Sequence, residues 1–429
     1  MKLYKYPDPA TWEKILSRPT QTYEEIENTV LEVFSEVKNK GDQALRKYTD
    51  LFDGVTLKDI AVDQSEINAA EKLLSSELKD AIKLAKSNIQ KFHEAQKTNR
   101  VAVETMEGVS CWQEKRAIQK VGLYIPGGTA PLFSTILMLA IPATIAGCEE
   151  ISICTPPDSQ GNVAPVILYT AKLCGVTKVF KVGGIQAVAA MTFGTETVPP
   201  SYKIFGPGNQ FVTVAKQMAT KFGVAIDMPA GPSELLVYAD ETANPSFVAS
   251  DLLSQAEHGP DSQVILVTTS ETLATAVSEE IKTQIEALPR AEVAQRSMAN
   301  SRQILVRDTE EAIVLINEYG PEHFIVVASN EEEFSKKIQN AGSVFLGAYT
   351  PESAGDYASG TNHTLPTNGY AKQYSGLNLD SFLKSITFQK VSKQGLKNIG
   401  PAVELMAAAE GLQAHKNAVT LRLNEIDSQ

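Results

Sequence analysis

The feature that most restricts this chain is a change of texture at Lys120. From there, short β-rich runs alternate with stretches long enough for helices. The runs lie at 121–125, 150–155, 178–182, 202–205, 224–228, 235–238, 263–268, 303–306 and 324–328, and helix-length segments such as 164–174, 210–222, 271–287 and 331–341 fall between them. Strands that alternate with helices build parallel sheets from βαβ units. Nine runs are too many for one modest sheet, so two parallel α/β sheets are expected. Before Lys120 the chain reads as helical: over 65–97, Ile67, Ala70, Leu74, Leu78, Ala81, Ala85, Ile89 and Phe92 keep helical spacing, which predicts one long amphipathic helix. The tail, 401–422, reads as helical with a break at Gly411.

Composition narrows the function. The 429 residues suffice for about three structural units, and 43% hydrophobic with 21% charged residues is ordinary globular usage. A net charge of −12 argues against nucleic acid or an anionic membrane as the main partner. The four cysteines, Cys111, Cys148, Cys154 and Cys174, show no CxxC spacing, so neither a cysteine zinc site nor a thioredoxin-like motif is expected, and the thiols read as reduced and cytoplasmic. Met1–Arg18 is polar and has no apolar leader core. Residues 121–148 carry no charge over 28 positions, yet Pro126, Gly127, Gly128, Pro131, Pro142 and Gly147 interrupt them; a glycine-rich turn and a buried helix fit better than a membrane span.

Open parallel sheets bind ligands outside the carboxyl ends of their strands. Four such ends are rich in glycine and proline: IPGGTAP (125–131), VGGIQ (182–186), FGPGNQ (205–210) and MPAGPSE (228–234). Backbone N–H groups at such turns can hold phosphate. No GxGxxG follows any of these strands, so the pattern suggests a nucleotide domain without naming the nucleotide. Four of the five histidines sit in polar or glycine-containing motifs, as His258, His323, His363 and His415, while His93 adjoins the apolar stripe and reads as structural. Gln255 and His258, three apart on an expected helix, share a side; such a pair is either a surface pair or half of a chelate. With Asp356 in a glycine-flanked loop, the donors suit zinc or manganese. Glu322–His323 is either a loop before a strand or a base beside a water-activating carboxylate.

Five segments together resemble the histidinol dehydrogenase family: IDMPAGPSELLV (226–237), SDLLSQAEHGPDSQ (250–263), GPEH (320–323), SAGDYASGTNHTLPT (353–367) and AAAEGLQAHKNAVTLRL (407–423). The resemblance runs from Tyr23 to Leu423. It implies oxidation of L-histidinol to L-histidine through the aldehyde, in histidine biosynthesis, with two NAD consumed. It also implies one Zn2+ per subunit on Gln255, His258, Asp356 and His415, with His323 as the alcohol base and Glu322 activating water. Substrate contacts would come from Ser233, Gln255, His258, His323, Asp356, Glu410 and His415, and NAD contacts from Tyr124, Gln186 and Asn209. The family is a homodimer with shared active sites, so Glu410 and His415 would serve the partner's site.

The implied fold is two Rossmann-like parallel α/β domains with helical N-terminal and C-terminal extensions. The division is 1–22 as extension, 23–120 plus 233–378 as the catalytic domain, 121–232 as the NAD-binding domain, and 379–429 as the helical tail. A thiohemiacetal route would nominate Cys148 or Cys154, but their apolar surroundings raise a thiol's pKa. A related zinc- and NAD-dependent dehydrogenase of another small alcohol is the rival reading; the presence of Glu410 and His415 favours histidinol. The presence of Glu322 and His323 argues against a non-catalytic regulator.

Overall fold

The computed structural model describes residues 1–19, 23–127, 131–229 and 231–428. Gly128–Ala130 of the first glycine-rich loop, Ala230 of the fourth, and 20–22 of the N-terminal extension lie outside the described residues. Two compact units are present: 1–96 with 118–382, and 97–117 with 383–429.

The first unit contains two all-parallel sheets. The larger runs Lys2–Lys5, Arg302–Leu305, Gln263–Thr268, Glu234–Ala239, His323–Val327, Ser343–Leu346. The smaller runs Lys178–Phe180, Glu150–Cys154, Lys120–Tyr124, Lys203–Phe205, Ala225–Ile226. The central strands of the larger sheet are buried along their length, as strands of a parallel sheet covered on both faces must be. The two expected sheets are therefore present, with two short edge strands, Lys2–Lys5 and Ser343–Leu346, that the sequence reading did not include.

Within the uncharged stretch, helix Phe133–Ala146 is buried from Ser134 to Ala143 and ends at Gly147 in the left-handed conformation. Among the described residues no helix is long and apolar enough to cross a membrane. Pro142 lies inside this helix and supplies no N–H, which would leave the carbonyl of Met138 without its partner. Asn362 Nδ2 donates to that carbonyl at 2.6 Å and so ties the 359–366 loop to the helix.

The expected long helix over 65–97 is instead two. Helix Gln64–Ala70 ends in a short 3-10 turn, Leu74 is extended, and Ser75 caps a new helix, Ser76–Glu94, by accepting from Leu78 N–H. The buried face of the second helix is Ile82, Ala85, Ile89 and His93, whereas Ala81 and Phe92 are exposed. His93 is structural: its Nδ1 bonds the Ile89 carbonyl at 2.9 Å and its Nε2 faces Asn362 Nδ2 at 3.4 Å.

The second unit is an antiparallel sheet ordered Leu383–Val391, Val109–Ala117, Val101–Met106, with helices Lys393–Ala409 and Gln413–Asp427. Gly411, at φ +74°, makes the expected break between the helices. The C-terminal extension is thus helical only from Lys393; before it lies a strand whose Phe388 stacks on Trp112 at 5.4 Å.

Candidate active site

The sheet register builds the site. Strands Glu234–Ala239 and His323–Val327 are adjacent and pair His323 with Leu235, so the first residues of both strands meet at the amino edge of the larger sheet. His323 is buried there, with Nδ1 at 3.3 Å from both the Glu234 carbonyl and Gln255 Nε2. Glu322 Oε2 accepts from Glu234 N–H at 2.8 Å. Gln255 belongs to the last turn of helix Pro245–Ala256, which returns from the far end of the strand to this same edge, and its Nε2 donates to the Glu234 carbonyl at 3.2 Å. His258 lies past the helix cap at Glu257, so it does not share a helical face with Gln255; the helix stops too early. Both still line one cavity, Gln255 buried and His258 exposed.

That cavity, about 320 Å³, lies between two different kinds of edge. One wall is the carboxyl edge of the smaller sheet: Pro126, Gly206, Pro207, Gly208, Asn209, Asp227 and Met228. The other is the amino edge of the larger sheet: Ser233, Gln255, His258, Glu322 and His323, joined by Asp356 and His363. The expectation that ligands sit at carboxyl strand ends therefore holds for the smaller sheet only. The acid–base residues occupy the opposite edge of the larger sheet, because Glu322 and His323 precede or open their strand rather than follow it.

Carboxylates surround His323. Asp356 Oδ1 is 3.4 Å from Nε2, Glu322 Oε2 is 3.6 Å from Nδ1, and Glu352 Oε1 is 3.9 Å from Nδ1. Burial opposes charge on His323, but Glu352, Glu322 and Asp356 outweigh it and hold the imidazole well above its usual range. Burial, reinforced by Asp356, Glu322 and Asp251, drives Glu352 well above the carboxylate range. Asp356 is buried too, yet His323, His363 and His258 hold it below its ordinary value.

Glu352 is the residue that sequence reasoning missed. It opens helix Glu352–Tyr357, four residues before Asp356 and hence on the same side, a spacing that could have revealed it. Among the described residues, His323, Glu352 and Asp356 offer ligand atoms within 4.8 Å of one another. Gln255 Oε1, His323 Nε2 and Asp356 Oδ1 are buried without a hydrogen-bond partner.

The remaining expected residues fall in three places. Ser233 and Asn209 line the cavity. Tyr124 and Gln186 form a separate buried cluster, in which Tyr124 Oη accepts from Gly184 N–H at 3.1 Å. Glu410, capping helix Lys393–Ala409, and His415, in helix Gln413–Asp427, are exposed members of the second unit. Burial pushes Cys148 and Cys154 up to about 12, so neither is poised as a thiolate.

The family model described as histidinol dehydrogenase matches residues 16–423. A histidinol dehydrogenase of Bacteroides thetaiotaomicron is 60% identical over 426 residues, 99% of this chain and 100% of that protein. One of Escherichia coli K12 is 53% identical over 419 residues, 97% of this chain and 96% of its own. The crystal structure of histidinol dehydrogenase from Elizabethkingia anophelis matches with a TM-score of 0.97 at 57% identity, covering 100% of this chain and 99% of that one. On the sequence and on the fold alike, this chain belongs to the histidinol dehydrogenase family.

Proposed function

We propose that the chain oxidises L-histidinol to L-histidine through histidinaldehyde, using NAD and one zinc ion per subunit. The observation that carries the reading is the pair Glu322–His323, buried side by side at the wall of a cavity that also holds Gln255, His258 and Asp356. The unpartnered Gln255 Oε1 and Asp356 Oδ1 are donors that fit a cation, since buried polar atoms seldom go unsatisfied, and the unpartnered His323 Nε2 is left for a proton. Zinc is held by Gln255, His258 and Asp356 of one subunit and by His415 of the partner subunit, in a homodimer with shared sites. When bound, NAD accepts the hydride of each oxidation, and zinc holds the substrate's imidazole and amino nitrogens.

His323, in its neutral form, takes the proton of the substrate hydroxyl, so that the carbon can release hydride. The aldehyde has no hydride to give from an sp³ carbon until water adds to it. Glu322 takes the proton of that water as it adds, and the hydrate anion left behind gives up its remaining C–H as hydride to become the acid. Ser233 and Glu410, the latter from the partner, orient the substrate, Glu410 through its cationic amine. Tyr124, Gln186 and Asn209 hold NAD. Residues 121–232, with the smaller sheet, are the NAD-binding part and 233–378, with the larger sheet, the catalytic part; of the expected 23–120 segment of the catalytic part, the helices of 23–96 instead pack on the smaller sheet and 97–117 belong to the second unit. The enzyme works in the cytoplasm.

The test separates the half-reactions. Glu322→Gln keeps shape but removes the base, and should slow oxidation of supplied histidinaldehyde by about 10²–10⁴-fold. Wild-type turnover of the aldehyde by this variant would overturn the role of Glu322.

A further inference from the structure

Asp53 ends helix Asp42–Asp53, where the helix dipole disfavours a negative charge. It is half-buried, and among the described residues it has no ion-pair partner. Its nearest polar neighbour is Gln186, whose Nε2 approaches Asp53 Oδ2 at 3.5 Å. Gln186 is itself fully buried, and its Oε1 has no partner. Tyr124, the last residue of the central strand of the smaller sheet, is close enough for its phenol to feel the Asp53 charge. Burial pushes the Asp53 carboxyl up to about 6. Apart from the long Gln186 hydrogen bond, these features cost stability, so holding the fold does not account for the carboxylate.

The strand order gives it a ligand. From the central strand Lys120–Tyr124 the chain winds first to Glu150–Cys154 and Lys178–Phe180, then crosses to Lys203–Phe205. In such a doubly wound sheet the adenosine half of a dinucleotide lies over the first two or three strands. A carboxylate following the second strand takes the ribose 2′-hydroxyl. Here the second strand runs into Asp158, whose Oδ1 is engaged by the Gln160 and Asn162 N–H groups, both at 2.9 Å, in its own exposed turn. The usual acid is therefore occupied elsewhere, and the unpaired one near Tyr124 and Gln186 comes from the N-terminal helix.

We propose that Asp53 accepts the adenosine 2′-hydroxyl of NAD, and that its charge excludes a 2′-phosphorylated dinucleotide; this rests on the NAD reading above. NADH fluorescence titration tests it, using three probes: NADH, its analogue lacking the adenosine 2′-hydroxyl, and NADPH. Wild-type protein should bind NADH about tenfold more tightly than the deoxy analogue, as expected for a hydrogen bond to a charged acceptor, and more tightly still than NADPH. Asp53→Asn should bind NADH about tenfold more weakly than wild type, should no longer distinguish the deoxy analogue, and should narrow the gap to NADPH. If wild-type protein binds NADH and the deoxy analogue alike, or if the Asn variant keeps all three wild-type affinities, the role of Asp53 is overturned and the NAD reading stands. If wild-type protein binds no NADH, both are overturned. The ligand-side comparison uses unaltered protein, so it decides the matter even if the variant does not fold.

Discussion

Lys216 and Asp227 give the sharpest stability prediction. The pair is an ion pair with side chains 3% and 0% exposed, and it clamps two of the glycine-rich loops together. Lys216 Nζ donates to the Gly206 carbonyl at 2.8 Å, while Asp227 accepts from Gly206 N–H at 2.8 Å and from Met228 N–H at 2.7 Å. Lys216→Met keeps the aliphatic stem and removes the cation. Asp227 then keeps two N–H donors but loses the cation it touches, leaving only the more distant Lys203 to feel its charge, a loss of about 3–5 kcal/mol. An unfolding entropy of about 2.1 cal/mol/K per residue over 429 residues gives about 0.9 kcal/mol/K, so Tm should fall by about 3–6 °C in calorimetry at pH 7.5. Adding Asp227→Asn removes the stranded charge while keeping an acceptor for one N–H, and should restore about half the loss. A Lys216→Met protein within a degree of wild type would refute the reasoning. So would a double variant no more stable than the single one, because the stranded charge would then not be the cause.

His258→Ala should lose most bound zinc, read by metal analysis after dialysis, while its circular dichroism stays that of wild type; full zinc content would remove His258 from the ligand set. Inactive His323→Ala and inactive His415→Ala proteins, mixed and allowed to exchange subunits, should recover activity, since one site of each mixed dimer has both residues intact; no recovery after proven exchange would rule out sharing. Asp53→Asn should stabilise the ligand-free protein at pH 8. The folded carboxyl titrates at about 6 against about 3.9 unfolded, so its cost is absent below pH 4, grows as pH rises and is complete above pH 6. Because Asp53 is only half-buried, the gain should be about 1 kcal/mol after screening, and it should vanish at pH 4 in urea titrations.

The sequence displayed the strands of the two parallel sheets because they are apolar along their whole length and bounded by glycine and proline. It hid the antiparallel sheet because Val101–Met106 is exposed at every position and Leu383–Val391 at most, so no buried face imposes a period of two. It hid the break in the long helix because Leu74 and Ser75 continue a helical stripe in spacing, although Ser75 caps a new helix. In the site, adjacency and spacing left Glu322–His323 and Gln255–His258 each with two readings, and their roles came from the resemblance; the shared helical face expected of Gln255 and His258 fails because the helix ends at Ala256. Glu352 was not, since an acid four residues from another acid looks like a solvated helical face until the fold buries it. Asp53 was disguised by Gly54, which makes the pair read as an ordinary helix end.

On the proposed reading, the opposed edges would let both kinds of ligand meet in one cavity. On the smaller sheet the cavity receives the carboxyl ends of strands and the starts of the helices that follow, such as Gln210–Thr220 with Asn209 as its cap. Helix starts carry partial positive charge and suit the anionic parts of a dinucleotide. On the larger sheet the cavity receives the amino ends of strands and therefore the end of a returning helix, Pro245–Ala256, with Gln255 in its last turn. Helix ends carry partial negative charge and suit a cation. Had both sheets presented carboxyl edges, the helix starts would have favoured anions on both walls, and the carboxylates around His323 would have had to hold a metal against them. Turning one sheet round places the cation-favouring wall opposite the anion-favouring one. On the proposed reading, the cofactor and the substrate would then face each other across a cavity of about 320 Å³.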